Sequence, residues 1–187
     1  MPSDIHHPAA AFNRTSFEAC VVPYLDAAYN LARWLARDDT DAQDVVQESM
    51  LRAFRYFHSF HGDDARVWLL AIVRNTFYSL RSKAAADAKH ETFDDEAHTL
   101  IDEAPSPEAR ALISVDIQAL QAALENLPHP LREVIVLREL EECSYKEIAN
   151  ITGQKIGTVM SRLARARERL KAELSSSSTE ARRHDVR

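Results

Sequence analysis

Apolar residues in this chain recur three and four positions apart almost from end to end, and only three glycines interrupt its 187 residues. That spacing stacks side chains along one side of an α-helix, whereas a half-buried strand would alternate them in twos. Ala, Leu, Arg and Glu, all good helix formers, dominate the rest, so the expected fold is all-α. The longest continuous apolar run, Val67 to Val73, is far short of the roughly 20 residues that span a bilayer. The first residues lack the basic start and apolar core of a signal peptide, and a cytoplasmic protein is expected. Cys20 and Cys143 stand far apart in sequence, as packing residues of a reducing compartment rather than a disulfide framework.

Capping and breaking signals divide the helical pattern. Met1 to about Arg14 has no periodicity and reads as a loose arm. Thr15 and Glu18 have capping-box spacing and open a helix through Phe17, Val21, Leu25, Ala28, Leu31 and Leu35, which Pro23 must kink or delay. After a polar break at Arg37 to Thr40, Thr40 is the expected cap of a second helix ending near Phe57. One face of it is apolar (Ala42, Val45, Val46, Ser49, Met50, Ala53, Phe54, Phe57) and the other carries Asp41, Asp44, Glu48, Arg52 and Arg55, a pattern that suits a solvated stripe. His58 to Ala65 forms a polar loop. The following helix is apolar all round to Val73 and then mixes Arg74, Asn75, Thr76, Phe77, Tyr78 and Arg81. Rings interleaved with arginines suit single-stranded nucleic acid, since bases stack on the rings while cations follow the backbone. Trp68, Phe77 and Tyr78 serve equally well as core fillers of a small bundle.

Between Ser82 and Pro107 the acids Asp87, Glu91, Asp94, Asp95, Glu96, Asp102 and Glu103 are almost unopposed, and the segment reads as a linker between two helical modules. Ser106-Pro107 signals the start of a helix reaching about Asn126, and Leu127-Pro128-His129-Pro130 marks the junction to another. The stretch Ser144 to Leu170 then reads as a helix-turn-helix. Ser144 and Glu147 form a capping box, Ile148, Ala149 and Thr152 face inward, and Gly153 supplies the left-handed stop. From about Ile156 a second helix turns Val159, Leu163, Ala166 and Leu170 inward and leaves Thr158, Ser161, Arg162, Arg165 and Arg169 outside. This donor-rich face suits the major groove of DNA, where arginine reads guanine and hydroxyls hold phosphates. A net charge of −6 opposes indiscriminate DNA binding through bulk charge, so the local face must act with a partner. Ser175 to Ser178 and the polar remainder read as a disordered tail.

Two signatures stand in order along the chain. DAQDVVQESMLRAF followed by WLLAIVRN looks like sigma region 2, and LPHPLREVIVLRELEECSYKEIANITGQKIGTVMSRLARARERL looks like sigma region 4. Over about residues 15 to 172 the sequence resembles the extracytoplasmic-function (group 4) sigma factors of the sigma-70 family, the small two-domain sigma subunits of bacterial RNA polymerase. The resemblance implies region 2 at 15–83, an acidic flexible linker at 84–106 on the path of nascent RNA, region 4 at 107–174, and disordered arms at 1–14 and 175–187. It implies that Asp44, Gln47, Glu48 and Arg52 dock on the clamp helices of core RNA polymerase. His61, Arg66, Trp68, Arg74, Asn75, Tyr78 and Arg81 would engage and melt the promoter −10 element. Lys155, Thr158, Ser161, Arg162 and Arg165 would read the −35 element, with the apolar flank of region 4 on the polymerase flap. An anti-sigma factor is a further implied partner, with no membrane insertion by this chain itself. Gln154-Lys155 departs from the family pattern, which favours an apolar residue and proline in the turn.

Other readings compete. A sigma-like decoy that sequesters an anti-sigma factor would usually follow a receiver domain, and the arginine-rich face here is intact. A simple helix-turn-helix repressor needs no region 2. No Gly-rich phosphate loop, nucleophile elbow or zinc spacing points to an enzyme. His58 and His61 with Cys20 or Cys143 are a weak metal set, so no metal and no cofactor is expected.

Overall fold

The computed structural model describes residues 14–61, 64–91 and 115–184, with side chains at 16–61, 64–86 and 117–175. Helix α1 (Arg14–Val21) gives way to a 3-10 turn at Val22–Tyr24, and α2 follows at Leu25–Ala36. Pro23 lies in that turn, at the first positions of the 3-10 segment, so the chain changes helix type there instead of carrying the proline inside a continuous α-helix. Arg37, left-handed at φ 68°, ends α2 with its N–H on Arg33 O. Asp38, in extended conformation, then caps α3 (Asp39–Tyr56) by accepting from Asp41 N at 2.9 Å. The expected cap, Thr40, is inside the helix instead. An acid at this position both bonds an orphan N–H and complements the positive end of the helix dipole.

A 3-10 turn at Phe57–Ser59 leads out of α3, and Asp64 bonds Val67 N at 3.0 Å where α4 (Ala65–Glu91) begins. Helices α2, α3 and α4 pack around Leu31, Leu35, Val45, Leu69, Leu70 and Val73. Ala28, Ala32, Ala42 and Ala53 are fully buried among them, and such small residues let helix axes approach closely. Phe17 of α1 completes this core edge-on to Phe54 and Phe57, with ring centroids 5.2 and 5.3 Å apart.

The second module comprises α5 (Val115–Asn126), α6 (His129–Ile135), a π-helical turn at Val136–Leu140, α7 (Tyr145–Thr152) and α8 (Ile156–His184). Its core gathers Leu127, Val134, Leu137, Ile148, Ile151, Val159, Leu163 and Ala166, all buried. The helix-turn-helix has the expected caps: Glu147 N donates to Ser144 Oγ at 3.2 Å, Ser144 N donates to Glu147 Oε2 at 2.5 Å, and Gly153 turns left-handed at φ 66°. Gln154 N closes back on Ala149 O at 3.0 Å, so backbone bonds hold this turn without the usual proline.

Two boundaries differ from the sequence reading. Backbone helix continues through 84–91 and again through 175–184, because neither segment contains a proline or glycine to stop it. Residues 92–114, with the Ser106-Pro107 signal, and the terminal segments 1–13 and 185–187 lie outside the described residues. The two modules are in contact, α2 against α6 and α4 against α7, and their buried side chains form one continuous cluster.

Candidate polymerase and nucleic-acid interface

On α3 the expected polymerase stripe is at the surface. Asp44 and Gln47 are exposed, while half-buried Glu48 and Arg52 form an ion pair at 2.7 Å. Burial, with the neighbouring charges of Asp38 and Asp44, raises the carboxyl of Asp41 above its ordinary range. In the same stripe stands Leu51, 59% exposed, which the sequence reading assigned to neither face. Its signal was an apolar residue four positions on from Gln47, on the charged side.

The candidate −10 residues sit in a different environment. His61 is exposed and its Nδ1 engages Ser59 O at 2.7 Å. Trp68, half-buried, packs on Phe60 with centroids 4.8 Å apart. Their cleft, about 670 Å³, is also lined by Ser144, Lys146, Glu147 and Asn150 from the second module. Farther along α4, Arg74 pairs through Nε with Glu133 Oε1 at 2.7 Å, donates through Nη1 to Asn75 Oδ1 at 3.2 Å, and holds its Cζ 4.7 Å from the Tyr78 ring centroid. Arg66 Nη2 pairs with Glu141 Oε2 at 2.8 Å and also donates to Glu141 O. Arg81 donates to His129 Nε2. Phe77 is core, as the packing alternative had it, whereas Trp68 and Tyr78 are only partly covered.

Burial sets the electrostatics here. The Glu133 carboxylate is 1% exposed; desolvation pushes its pKa up, opposed by Arg74, Arg162 and Tyr78. His129 is pushed down to about 4, first by burial and then by Arg132, Arg81 and Arg37, so the ring is neutral at ordinary pH. Burial raises the Cys143 thiol to about 11, although Arg66 opposes the shift, and a protonated thiol is a poor nucleophile.

Arg132 and Arg37 anchor the contact, and neither was singled out from the sequence. Arg132 is fully buried and donates to Leu124 O (3.1 Å), Glu125 O (2.9 Å), Leu127 O (2.6 Å) and, across the modules, Trp34 O (3.0 Å). Arg37 donates to Glu125 O and to Leu127 O from the other side. Helix α5 ends in carbonyls without intrahelical partners, and two cations supply both the donors and the charge that its dipole favours. The sequence shows an arginine in an apolar run and no hint of its four carbonyls.

Lys155, just before α8, and Ser161 and Arg165 on it are exposed, and Thr158 and Arg162 are half-buried. Ser161 Oγ donates to Thr158 O at 3.0 Å. Arg167 of the helix pairs with Glu139 at 2.7 Å at the surface, while Arg138 bonds Cys143 O at 2.9 Å and lies 5.2 Å from the Tyr145 ring centroid. Leu120, Leu124, Ile135, Val136, Leu140, Leu170 and Leu174 line an apolar cleft of about 660 Å³ between α5, α6 and α8. The structure thus separates the α3 stripe from the α8 face, and turns the arginines of α4 toward the second module.

Residues 20–86 match the family Sigma-70 region 2, and residues 117–170 match Sigma-70, region 4. The chain is 33% identical to the ECF RNA polymerase sigma factor SigE of Mycolicibacterium smegmatis over 96% of its own length and 72% of the relative. It is 34% identical to the RNA polymerase sigma-H factor of Pseudomonas aeruginosa, over 83% and 84% of the two chains. Among solved structures it is similar to the sigma factor RpoE of Bartonella quintana in complex with the anti-sigma factor NepR, at TM-score 0.71 and 30% identity, covering 86% of this chain and 98% of that one. CnrH in complex with the cytosolic domain of CnrY gives TM-score 0.64 at 27% identity, over 88% and 90%. With both regions in order on an all-α, two-module fold, the chain belongs to the extracytoplasmic-function sigma factors of the sigma-70 family.

Proposed function

We propose that this chain binds bacterial core RNA polymerase, brings it to particular promoters by reading the −35 element, and helps to open the −10 element. The observation that carries the reading is the capped helix-turn-helix of α7 and α8, with Lys155, Ser161 and Arg165 at the surface, behind a region 2 module whose Asp44, Gln47 and Leu51 face solvent. Region 2 docks through the α3 stripe of Asp44, Gln47, Glu48 and Arg52, and the apolar cleft of region 4 receives the polymerase flap. Thr158 and Arg162 complete the −35 set. Melting falls to His61, Arg66, Trp68, Arg74, Asn75, Tyr78 and Arg81. Unstacking a base costs a few kcal/mol, which stacking on Trp68 and charged contacts offset. The task is binding without bond chemistry, carried out in the cytoplasm and under the control of an anti-sigma factor, in keeping with the solved relatives. Among the described residues, no helix is long and apolar enough to cross a membrane. The domain limits are 15–83 for region 2, 84–106 for the connecting segment and 107–174 for region 4.

Core polymerase supplied with the purified chain should start run-off transcripts, over a genomic fragment library, that core alone does not make. Binding to core with no new start site would replace this reading by that of an anti-sigma decoy, which the sigma factors among the relatives do not favour. Asp44→Arg should weaken core binding and leave the helical circular dichroism spectrum unchanged. An unaltered affinity would return the α3 stripe to a solvated face.

A further inference from the structure

Helix α8 presents two unlike flanks to solvent. Successive helical residues turn by about 100°, so Val159, Leu163, Ala166 and Leu170, which pack on the core, place Ser161 on the opposite side of the helix. From Ser161, Arg165, Thr158 and Arg162 wind one way, and Gly157, Ala164, Met160 and Ile156 wind the other. The first flank carries hydroxyl and guanidinium donors, whereas the second carries no polar side chain between Ile156 and Arg165. Yet Met160 is 52% and Ile156 46% exposed, and neither joins the packed core. Gly157 is exposed too, its backbone is not left-handed, and an added Cβ there would meet nothing within 4 Å. Packing within the chain thus gives no reason for two bare apolar side chains, or for a glycine where alanine would make a more stable helix. A surface that approaches the backbone closely supplies both reasons.

The arginine flank identifies that surface as nucleic acid. An apolar side chain set against a phosphate or a bare base edge takes donors and acceptors out of water without a bond. The major groove offers one apolar group, the C5-methyl of thymine. We propose that Met160, flanked by Ile156, packs on the methyl of a thymine in the −35 element, so that this chain demands an A·T pair, its thymine on a fixed strand, beside the pairs that Arg165 and Arg162 contact. The inference rests on the assignment of α8 to the −35 element and adds a base to it. Gly157 lets the start of α8 come close enough for the thioether to reach the groove floor. Selection is two-sided: the methyl adds contact, and a G·C pair in its place strands polar edges under the methionine.

The test uses the full chain with core polymerase and a promoter fragment that the run-off assay yields, its −35 segment resynthesised with deoxyuridine in place of each thymine in turn, on either strand. Deoxyuridine pairs as thymine does and lacks only the methyl. One such substitution should lower promoter use by wild type about fourfold, as expected for one buried methyl group. Met160→Leu, which keeps an apolar side chain, should show the same sensitivity. Met160→Gln, at a position half open to solvent where folding is not at stake, should use the thymine and deoxyuridine templates alike. Gly157→Ala should keep the wild-type thermal midpoint and lose promoter use. A wild type indifferent to every deoxyuridine, a Met160→Gln variant as sensitive as wild type, or full promoter use by Gly157→Ala would overturn the methyl contact. Arg165→Ala is run alongside. If it loses promoter use while the deoxyuridine scan is flat, the methyl contact fails and the −35 assignment stands; transcripts indifferent to the whole −35 segment remove both.

Discussion

Arg52–Glu48 and Arg74–Glu133 are both arginine–glutamate pairs with the same 2.7 Å separation, and they do different work. The first lies along one helix with its side chains 31% and 39% exposed; the second joins two modules, and its glutamate is 1% exposed. Water screens the first pair and leaves it worth a few tenths of a kcal/mol. In the second, either partner removed alone strands the other out of water, a cost several times larger. Distance is therefore a poor guide to which charges matter here, and burial is a good one.

The comparison is broken most directly at Arg74. Arg74→Met should lower stability by about 3 kcal/mol in urea denaturation, and adding Glu133→Leu should restore most of it, since an apolar pair of similar volume avoids the desolvation that the ion pair suffers. A loss no larger than that at Arg52 would show that solvent reaches Glu133. On the DNA side, Arg165→Ala should weaken use of the −35 element by roughly 1–3 kcal/mol with no loss of stability. Arg162→Ala should do both, because Arg162 is half-buried and acts on Glu133. Equal unfolding curves for the two variants would separate the recognition helix from the module contact.

The neutral ring of His129 gives a smaller, pH-dependent effect. Its pKa falls from 6.5 to about 4 on folding, facing Arg132, Arg81 and Arg37 and packing against the Phe77 ring. Between those values the unfolded chain binds more protons, so this contribution is complete above pH 6.5 and declines as pH falls toward 4. Discounted for a ring only half-buried, the loss between pH 7 and pH 5 should be about 1 kcal/mol, and His129→Gln should flatten that slope. An unchanged slope would place the proton linkage elsewhere. Smallest of all, Arg52→Ala should shift stability by less than about 0.5 kcal/mol while weakening core polymerase binding; a larger destabilisation would mean that the α3 pair is structural.

Much of this was legible in the residues. The helix-turn-helix was readable to the residue because capping is local chemistry: Ser144, Glu147 and Gly153 each act within one helical turn. The cap of α3 was misplaced from Asp38 to Thr40 because both residue types can cap, and the extended backbone at Asp38 decides between them. Trp68, Phe77 and Tyr78 left core and surface roles open, since periodicity does not tell a buried ring from one lining a cleft. Arg37, Arg132, Glu133 and Glu141 were beyond reach: Arg37, Glu133 and Glu141 meet partners far away in sequence, Arg132 joins the nearby end of α5 to the distant Trp34 O, and a charged residue in an apolar run carries no sign of which carbonyl or arginine will meet it.

The sequence by itself determined an all-α chain of two modules, the caps that start and stop its helices, and the family to which they belong, because spacing and capping depend on neighbours within a turn. Only the tertiary structure decided that Arg66 and Arg74 of α4 are part-buried against the second module, and that Arg66, Arg74 and the exposed Arg81 all find partners there. The reason is physical. The ionic groups at that boundary are desolvated by residues from both modules, and a charge taken out of water accepts whichever counter-charge the packing brings to it.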